Sequence, residues 1–197
     1  LDKGLPGGTC TWSGCIPSKA LINIGKDIHT AKKYSPSINI DTTKIMNDVR
    51  GVIKEIYSHE SPEILKNDGI TFKQGESIKL IDPKTVQIDG VDYQGKNIIV
   101  STGTSPFIPP LEGLEKVNYL TNQNLFKLEK LPKSIIILGG GAIGVEMAQC
   151  LNRLGTEVHL IERAPRILIR ENEELVDILS QTLIKEGVNI YVNTNTI

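Results

Sequence analysis

SIIILGGGAIG, residues 134–144, is the stretch from which the fold of this chain can be inferred. Its first five residues have the length and apolar character of a strand, and its glycines match the pattern G-x-G-x-x-G. The pattern alone is weak evidence. Here it lies between a predicted strand and a predicted helix over Ala142–Leu154, and in that context such a loop binds the pyrophosphate of a dinucleotide.

Each residue of this loop has an expected role. Gly139 permits a tight turn, Gly141 lets the backbone approach a pyrophosphate, and Gly144 lets the helix pack closely against the strand. Ala142 and Ile143 open the helix, whose free amides and positive end are expected to hold the phosphates.

Glu162 follows the next predicted strand, where a carboxylate can accept hydrogen bonds from the adenosine ribose hydroxyls. A carboxylate in this place repels a 2′-phosphate and therefore favours NAD over NADP. Arg163 and Arg166 argue the other way, because guanidinium groups bind a 2′-phosphate well. The sequence predicts NAD and keeps NADP open.

The last third of the chain alternates strands and helices at the spacing of a parallel sheet with crossover helices. Strands are predicted at Ser134–Leu138, Glu157–Ile161 and Val188–Val192, and helices at Ala142–Leu154 and Glu173–Glu186.

The first half has a different pattern. Helical spacing predicts one helix over 14–34 and a second from Thr42 or Thr43 to about His59, with Asp41 as its N-cap and Ser61-Pro62 as an interruption. Short strands are predicted at 70–74, 77–81, 85–88, 91–93 and 97–100. Thr104–Pro132 holds four prolines and little periodicity, so it is predicted to connect two domains.

The composition is that of an ordinary soluble globular protein, with 39% hydrophobic and 23% charged residues. A formal net charge of -1 gives no reason to expect nucleic acid or an anionic membrane as a partner. No apolar run is long enough to span a bilayer and no secretory signal is visible, so a cytoplasmic location is expected. The sequence opens at Leu1 without a methionine and reaches a glycine-rich turn within a few residues, and it stops at Ile197 just after a predicted strand. The chain is therefore expected to be an internal fragment of a longer polypeptide.

Cys10 and Cys15 lie in the run GGTCTWSGCIPSK, residues 7–19. Two cysteines five residues apart at a helix start can meet if the first turn is irregular, and Gly14 and Pro17 favour irregularity. A thiolate at a helix N-terminus is stabilised by the dipole and free amides, and Lys19 adds a positive charge. The sequence therefore predicts a redox-active dithiol or disulfide.

Three other interpretations of the cysteines are weaker but stay open. A zinc site would need two more ligands, and the remaining candidates stand at no recognisable ligand spacing: His29, His59, His159 and Cys150. A structural disulfide closing so small a loop would add little stability. Two unrelated buried cysteines would not need glycines on both sides. No metal site is predicted, and Cys150 is expected in the core.

The cysteine run resembles the active-site signature of class I pyridine nucleotide–disulfide oxidoreductases. Ser101–Pro106 is similar to the family's A-T-G-S-x-P element, and Gly139–Glu146 to its G-G-G-x-I-G-x-E. The order and spacing of the three elements agree over nearly the whole chain. The resemblance implies an α/β fragment with three-layer, Rossmann-like (doubly wound) domains: residues 1–113 from an FAD-binding domain and 114–197 from an NAD(P)-binding domain, in a protein that forms homodimers.

The resemblance also implies roles for individual residues. Cys15 would be the thiolate in charge-transfer contact with the flavin, and Cys10 the thiol that exchanges with substrate. Lys19 would lie beside the flavin and pair with Glu146, which would border the nicotinamide pocket. The remaining expected FAD contacts are Asp2 at the ribose, Gly8, Thr9 and Cys10 at the pyrophosphate and flavin, and Gly75, Thr102 and Gly103.

The implied activity is that of an FAD- and NAD(P)-dependent disulfide oxidoreductase of the dihydrolipoyl dehydrogenase type, acting on a small dithiol or a lipoyl domain. Trp12 and Ser13 replace the Asn-Val or Asn-Arg usual between the cysteines of those enzymes, and the unusual Thr-Trp pair, Thr11-Trp12, resembles the mercuric-reductase-like branch. A mercuric-reductase-like reductase and a non-catalytic nucleotide-binding redox module are the alternatives. The family's His–Glu base belongs to a further domain, so this chain alone is expected to be inactive.

Overall fold

A computed structural model of the protein describes residues 1–196; Ile197, the last residue of the predicted second domain, lies outside the described residues. Helices make up most of the first third of the chain: α1 (Gly8–Ser13), α2 (Cys15–Lys32), α3 (Thr42–Ser58) and α4 (Pro62–Asn67). The helix predicted over 14–34 is thus preceded by a separate short helix. Asp41 caps α3 as predicted, since its Oδ1 accepts hydrogen bonds from the amides of Thr43 and Lys44.

An antiparallel meander follows the helices. It consists of β1 (Ile78–Asp82), β2 (Thr85–Ile88) and β3 (Val91–Gln94), with β2 in the centre. Val86 pairs with Leu80 on one side and with Tyr93 on the other. The strands predicted at 77–81, 85–88 and 91–93 are confirmed to within about one residue at each end.

Two predicted strands are wrong. Residues 70–74 contribute only a single parallel bridge, between Gln74 and Asp2. Residues 97–100 form no strand, and Ile99 is 88% exposed. A strand exists only where a neighbour satisfies its backbone hydrogen bonds, and within residues 1–196 neither segment has a neighbouring strand beyond that bridge.

The connector predicted over 104–132 has some structure of its own. A 3-10 turn covers Leu114–Lys116, and α5 covers Asn122–Leu125. Thr121 caps α5 through a reciprocal pair of hydrogen bonds with Asn124 and Gln123. Short polar side chains can thus start a helix where the apolar periodicity is too weak to predict one.

A parallel sheet forms the last third, as predicted. Its strands are β4 (Ser134–Leu138), β5 (Glu157–Ile161) and β6 (Asn189–Tyr191), in that order, and its crossover helices are α6 (Ala142–Arg153) and α7 (Glu173–Glu186). The α/β class is therefore confirmed. None of the helices within residues 1–196 is both long and apolar enough to cross a bilayer.

One apolar core joins the two halves of the chain. Leu21 of α2 and Val49 of α3 belong to the same buried cluster as Leu151 of α6 and Val158 of β5. At Gly25, an added Cβ would lie 3.5 Å from the carbonyl oxygen of Cys150, so α2 and α6 pack closely at this point. The helix that starts at Cys15 is thus held against the helix of the glycine loop.

Candidate active site

Cys10 and Cys15 lie on either side of a sharp break between two helices. Cys10 is in α1, Cys15 is the first residue of α2, and both are exposed free thiols. A Cβ added to Gly14, the residue at the break, would lie 2.8 Å from the carbonyl oxygen of Thr9. Only glycine lets the two helices meet so closely, and the irregularity predicted here takes the form of this break.

The two thiols interact. A hydrogen bond with Cys15 raises the pKa of Cys10 above its ordinary value of 9.0, slight desolvation and the negative charges of Cys15 and Glu60 act in the same direction, and a hydrogen bond with the Cys15 backbone acts against them. Thiols that act on one another in this way can form and break a disulfide with little movement of the backbone.

Lys19 and Glu146 form an ion pair that joins α2 to α6, as predicted. The side chains are 66% and 33% exposed, respectively, so the pair adds little to stability. Its effect is geometric, because it sets two charged groups between the cysteine helix and the glycine loop.

The loop before α1 contains one crowded and one open glycine. Gly7 has φ of +98°, and an added Cβ would lie 2.6 Å from atoms of Thr11 and Glu60. Gly8 has φ of +55°, and an added Cβ would meet no described atom within 4 Å. Gly8 and the exposed Thr9 next to it leave room for a ligand to approach the backbone.

Asp2 and Gly75 are brought together. The amide of Gly75 donates to the carbonyl of Asp2 over 3.0 Å, and the Asp2 carboxylate accepts from the amide of Gly4 over 2.8 Å. A Cβ at Gly75 would clash with Asp89 and with Ile88, which it would approach to 2.6 Å. Packing against the meander therefore requires a glycine at position 75.

Thr102 and Gly103 lie in an exposed segment without regular structure. Gly103 has φ of +71°, and the space around an added Cβ is free of described atoms. No hydrogen bond within residues 1–196 ties either residue to the cysteine helices. The structure does not bring these two residues together with the cysteine pair.

The glycine loop has the three steric properties expected of it. Gly139 has φ of +103°, and a Cβ added to Gly144 would clash with the carbonyl oxygen of Gly139. At Gly141 an added Cβ would meet nothing within 4 Å in the described part of the chain. Ala142 and Ile143 form the exposed first turn of α6, and no side chain of residues 1–196 accepts a capping hydrogen bond from the amides of this turn.

Glu162 lies at the end of β5 beside this loop. Its carboxylate accepts hydrogen bonds from the amides of Gly140, over 2.6 Å, and Ala164, over 2.8 Å. Each oxygen keeps a lone pair free for a ribose hydroxyl. The guanidinium of Arg166 donates to backbone carbonyls of its own loop, at Leu168, Ile169 and Glu171.

These residues fit the cofactors that the resemblance implies. The free space at Gly139 and Gly141, the uncapped start of α6 and the fixed carboxylate of Glu162 suit a dinucleotide. The open backbone at Gly8 and the exposed Cys15 suit one side of a flavin nucleotide.

Sequence reasoning missed the contacts that hold α1 in place. Thr11 is 2% exposed, and its hydroxyl donates to the Glu60 carboxylate over 2.7 Å. The ring centroids of Trp12 and Tyr57 are 4.8 Å apart. The partners are about 45 to 50 residues apart in the chain, so no local pattern could have revealed them; the unusual Thr11-Trp12 pair was the only signal.

The family described as "Pyridine nucleotide-disulphide oxidoreductase" matches residues 4–196. A mercuric reductase of Lysinibacillus sphaericus is 32% identical over 197 residues, which cover 96% of this chain and 36% of that protein. A dihydrolipoyl dehydrogenase of Acholeplasma laidlawii is 31% identical over 201 residues, which cover 96% of this chain and 59% of that protein. The chain therefore spans between about one third and three fifths of the length of these relatives.

Among solved structures, the HOCl-induced flavoprotein disulfide reductase RclA from Escherichia coli superposes with a TM-score of 0.81 at 26% identity, covering 96% of this chain and 41% of that one. Members of this family use FAD and NAD(P)H. Since the family match extends over nearly all residues and includes both the cysteine run and the glycine loop, the chain belongs to the pyridine nucleotide–disulphide oxidoreductases.

Proposed function

We propose that the protein containing this chain passes electrons between NAD(H) and a substrate dithiol or disulfide through FAD and the Cys10–Cys15 pair. The observation that carries the proposal is the placement of two exposed free thiols on either side of the α1–α2 break, where Cys15 raises the pKa of Cys10. FAD, when bound, would supply the two-electron chemistry that links a nicotinamide hydride to a dithiol.

Cys10 and Cys15 would perform the exchange with substrate. The Cys10 thiolate attacks one sulfur of a substrate disulfide, and the other sulfur leaves as a thiolate and takes up a proton. The Cys15 sulfur then attacks Cys10 in the mixed disulfide and releases the second substrate thiol. The protein pair ends as a disulfide and the substrate as a dithiol; a dihydrolipoyl substrate is oxidised by the same steps in reverse.

The chain's other candidate residues would bind and orient the cofactors. Gly139, Gly141 and the first turn of α6, Ala142–Gly144, would hold the NAD pyrophosphate, and Glu162 the adenosine ribose. The engagement of Arg166 by carbonyls of its own loop supports NAD over NADP. The proposed FAD contacts are Asp2, Gly8, Thr9, Cys10, Lys19, Gly75, Thr102 and Gly103, with Glu146 between the flavin and nicotinamide sites.

We take dihydrolipoyl groups, free or on a lipoyl domain, as the proposed substrate. The dihydrolipoyl dehydrogenases among the relatives and the preference of Glu162 for NAD support this choice. A homodimer that completes the site with a base from a further domain, and a cytoplasmic location, belong to the same proposal.

Mercuric-ion reduction is the second candidate. Two exposed free thiols on either side of one helix break could also hold a soft metal cation as substrate, because thiolates prefer soft ions. Relatives named mercuric reductase, including one from Bacillus cereus that is 31% identical, support this alternative.

Turnover by the complete purified protein tests the proposal. We expect dihydrolipoamide-dependent formation of NADH in the wild type and in Cys150→Ala, and at least about a 100-fold loss in Cys10→Ser because no thiol remains to exchange. Oxidation of NAD(P)H that depends on mercuric ion, without turnover of dihydrolipoamide, would favour the second candidate. Full activity in Cys10→Ser would overturn both.

A further inference from the structure

The turn that carries Cys10 is anchored to the end of α3 by the residue that follows it. Thr11 is buried, and its hydroxyl donates to Oε2 of Glu60 over 2.7 Å. Gly7 packs directly against this contact, since an added Cβ would lie 2.6 Å from both the Glu60 carboxylate and the Thr11 side chain. Thr11, Glu60 and Gly7 therefore form one close-packed unit.

A second anchor lies one residue further along. The indole nitrogen of Trp12 donates to the carbonyl of Pro6 over 2.9 Å, and the indole ring packs at 51° against Tyr57 of α3. Two consecutive side chains after Cys10 thus contact the same end of α3. The position of the Cys10 thiol relative to Cys15 depends on these contacts.

The Thr11 anchor also brings a negative charge close to the redox pair. Within residues 1–196, the ionisable groups that act on the Cys10 thiol are Cys15, from α2, and Glu60, which follows α3. Both disfavour a thiolate at Cys10, whereas a hydrogen bond with the Cys15 backbone favours it. Glu60 has the smaller effect of the two, and Cys10 is exposed, so screening by solvent keeps this effect modest.

We propose that Glu60 is a positioning residue for the redox pair: it fixes the turn that carries Cys10 through Thr11, and its carboxylate keeps a negative charge beside that cysteine. The inference rests on the proposed role of the two cysteines as a redox pair. A carboxylate beside Cys10 makes a second negative charge there unfavourable. The Thr11–Glu60 contact therefore acts on both the place of the Cys10 thiol and the pH range in which it reacts.

Alkylation of the reduced complete protein tests the role of the charge. The rate of iodoacetamide labelling at Cys10 is measured against pH, and fragmentation of the tryptic peptide 4–19 distinguishes Cys10 from Cys15. Glu60→Gln keeps an acceptor for Thr11 and removes the charge, so its pH profile should shift to lower pH, with labelling about two- to fivefold faster at neutral pH. Glu55→Gln removes an exposed charge from α3 and should match the wild type.

Substitution of Thr11 tests the anchor. Thr11→Val removes the donor that holds Glu60 and should shift the Cys10 profile in the same direction as Glu60→Gln. Thr11→Ser keeps the hydroxyl and should restore the wild-type profile. A Thr11→Ser profile that follows Thr11→Val would contradict an anchor made through the hydroxyl.

Salt dependence of the wild type provides a test that needs no variant to fold. High salt screens the carboxylate and should move the Cys10 profile of the wild type toward that of Glu60→Gln. A Glu60→Gln profile that superimposes on those of the wild type and Glu55→Gln, or a wild-type profile that salt does not move, would overturn the inference. Alkylation requires no turnover, so a lack of activity with dihydrolipoamide would overturn the proposed function alone.

Discussion

Cys150 differs from the Cys10–Cys15 pair in nearly every property that governs thiol reactivity. It is 3% exposed, and burial, assisted by the charge of Glu146, raises its pKa to about 12. Cys10 and Cys15 are exposed. Because the thiolate is the reactive form and must be accessible, the fold separates one shielded cysteine from two accessible ones.

We therefore predict selective labelling of the native reduced protein. At neutral pH, iodoacetamide should modify Cys10 and Cys15 at least about 100-fold faster than Cys150. Peptide mass spectrometry measures the three rates, and labelling in guanidinium chloride, where all three thiols are accessible, is the control. Comparable native rates at Cys150 would show that the packing of α6 on α2 is wrong.

At the level of single residues, the sequence predicted groups whose roles have a local pattern. The spacing of Cys10 and Cys15 around Gly14 was sufficient to predict that the two cysteines lie on either side of an irregular turn. Resemblance to a family was needed to predict the ion pair between Lys19 and Glu146. The Thr11–Glu60 contact was not predictable, because its two partners meet only when α1 packs on α3.

At the scale of single elements, the loop between β4 and α6 combines a proposed binding role with a packing role. Gly141 and Gly144 serve different purposes in it: the first leaves open space and the second allows helix and strand to touch. Two alanine substitutions in one loop can therefore separate binding from folding.

Gly141→Ala should leave the melting temperature of the complete protein within about 2 °C of the wild type, because the added methyl group meets no atom of residues 1–196 within 4 Å. It should weaken NADH binding by at least about tenfold, since the methyl group occupies the expected place of the pyrophosphate. Gly144→Ala should instead lower the melting temperature markedly. Calorimetry of unfolding and of NADH binding measures both effects, and equal melting temperatures for the two variants would contradict these roles.

The helices α6 and α7 are joined by a shielded ion pair. Arg153 and Glu186 are 19% and 11% exposed, with nitrogen–oxygen distances of 2.6 and 2.7 Å, and Gln149 donates to the same carboxylate. Hydrogen bonds from Arg153 lower the pKa of Glu186 below its ordinary value of 4.5. Because the folded-state pKa is lowered, the pair stabilises the protein above pH 4.5, and this contribution is lost as the pH falls through the lowered pKa.

Glu186→Gln should accordingly destabilise the protein by about 1–3 kcal/mol at neutral pH. The difference from the wild type should shrink as the pH falls below 4.5. Melting temperature against pH is the measurement. Asp48→Asn, which removes an exposed pair with Lys44, is the control and should change stability by less than about 0.5 kcal/mol. A difference for Glu186→Gln that grows toward acid pH would contradict the assigned direction of the shift.

Elements with strong periodicity were predictable and elements that depend on a distant partner were not. The apolar run at 134–138 and the glycines after it predicted both ends of β4. The alternation of strand and helix patterns that follows predicted β5 and α7. Residues 97–100 are equally apolar, but a strand forms only through hydrogen bonds to a neighbour, and composition carries no information about that neighbour.

At the scale of the whole molecule, the main structural feature is the packing of α2, which begins at Cys15, against α6, which follows the glycine loop. Apolar packing of α2 on α6 holds them together, while the Lys19–Glu146 pair lies at the edge of that contact. The arrangement places the two exposed thiols and the glycine loop at the starts of two helices that pack on each other. A domain boundary near residue 113 stays a prediction, because the buried cluster includes residues from both sides of it.

The most direct test is the absorbance spectrum of the complete flavoprotein after anaerobic reduction with stoichiometric NADH. We predict a long-wavelength charge-transfer band in the wild type after reduction and no such band in Cys15→Ser. Cys10→Ser, which keeps the thiol at position 15 and cannot form the disulfide, should show the band before any NADH is added. A band that persists in Cys15→Ser would contradict the central claim that Cys15 is the flavin-facing member of a redox pair.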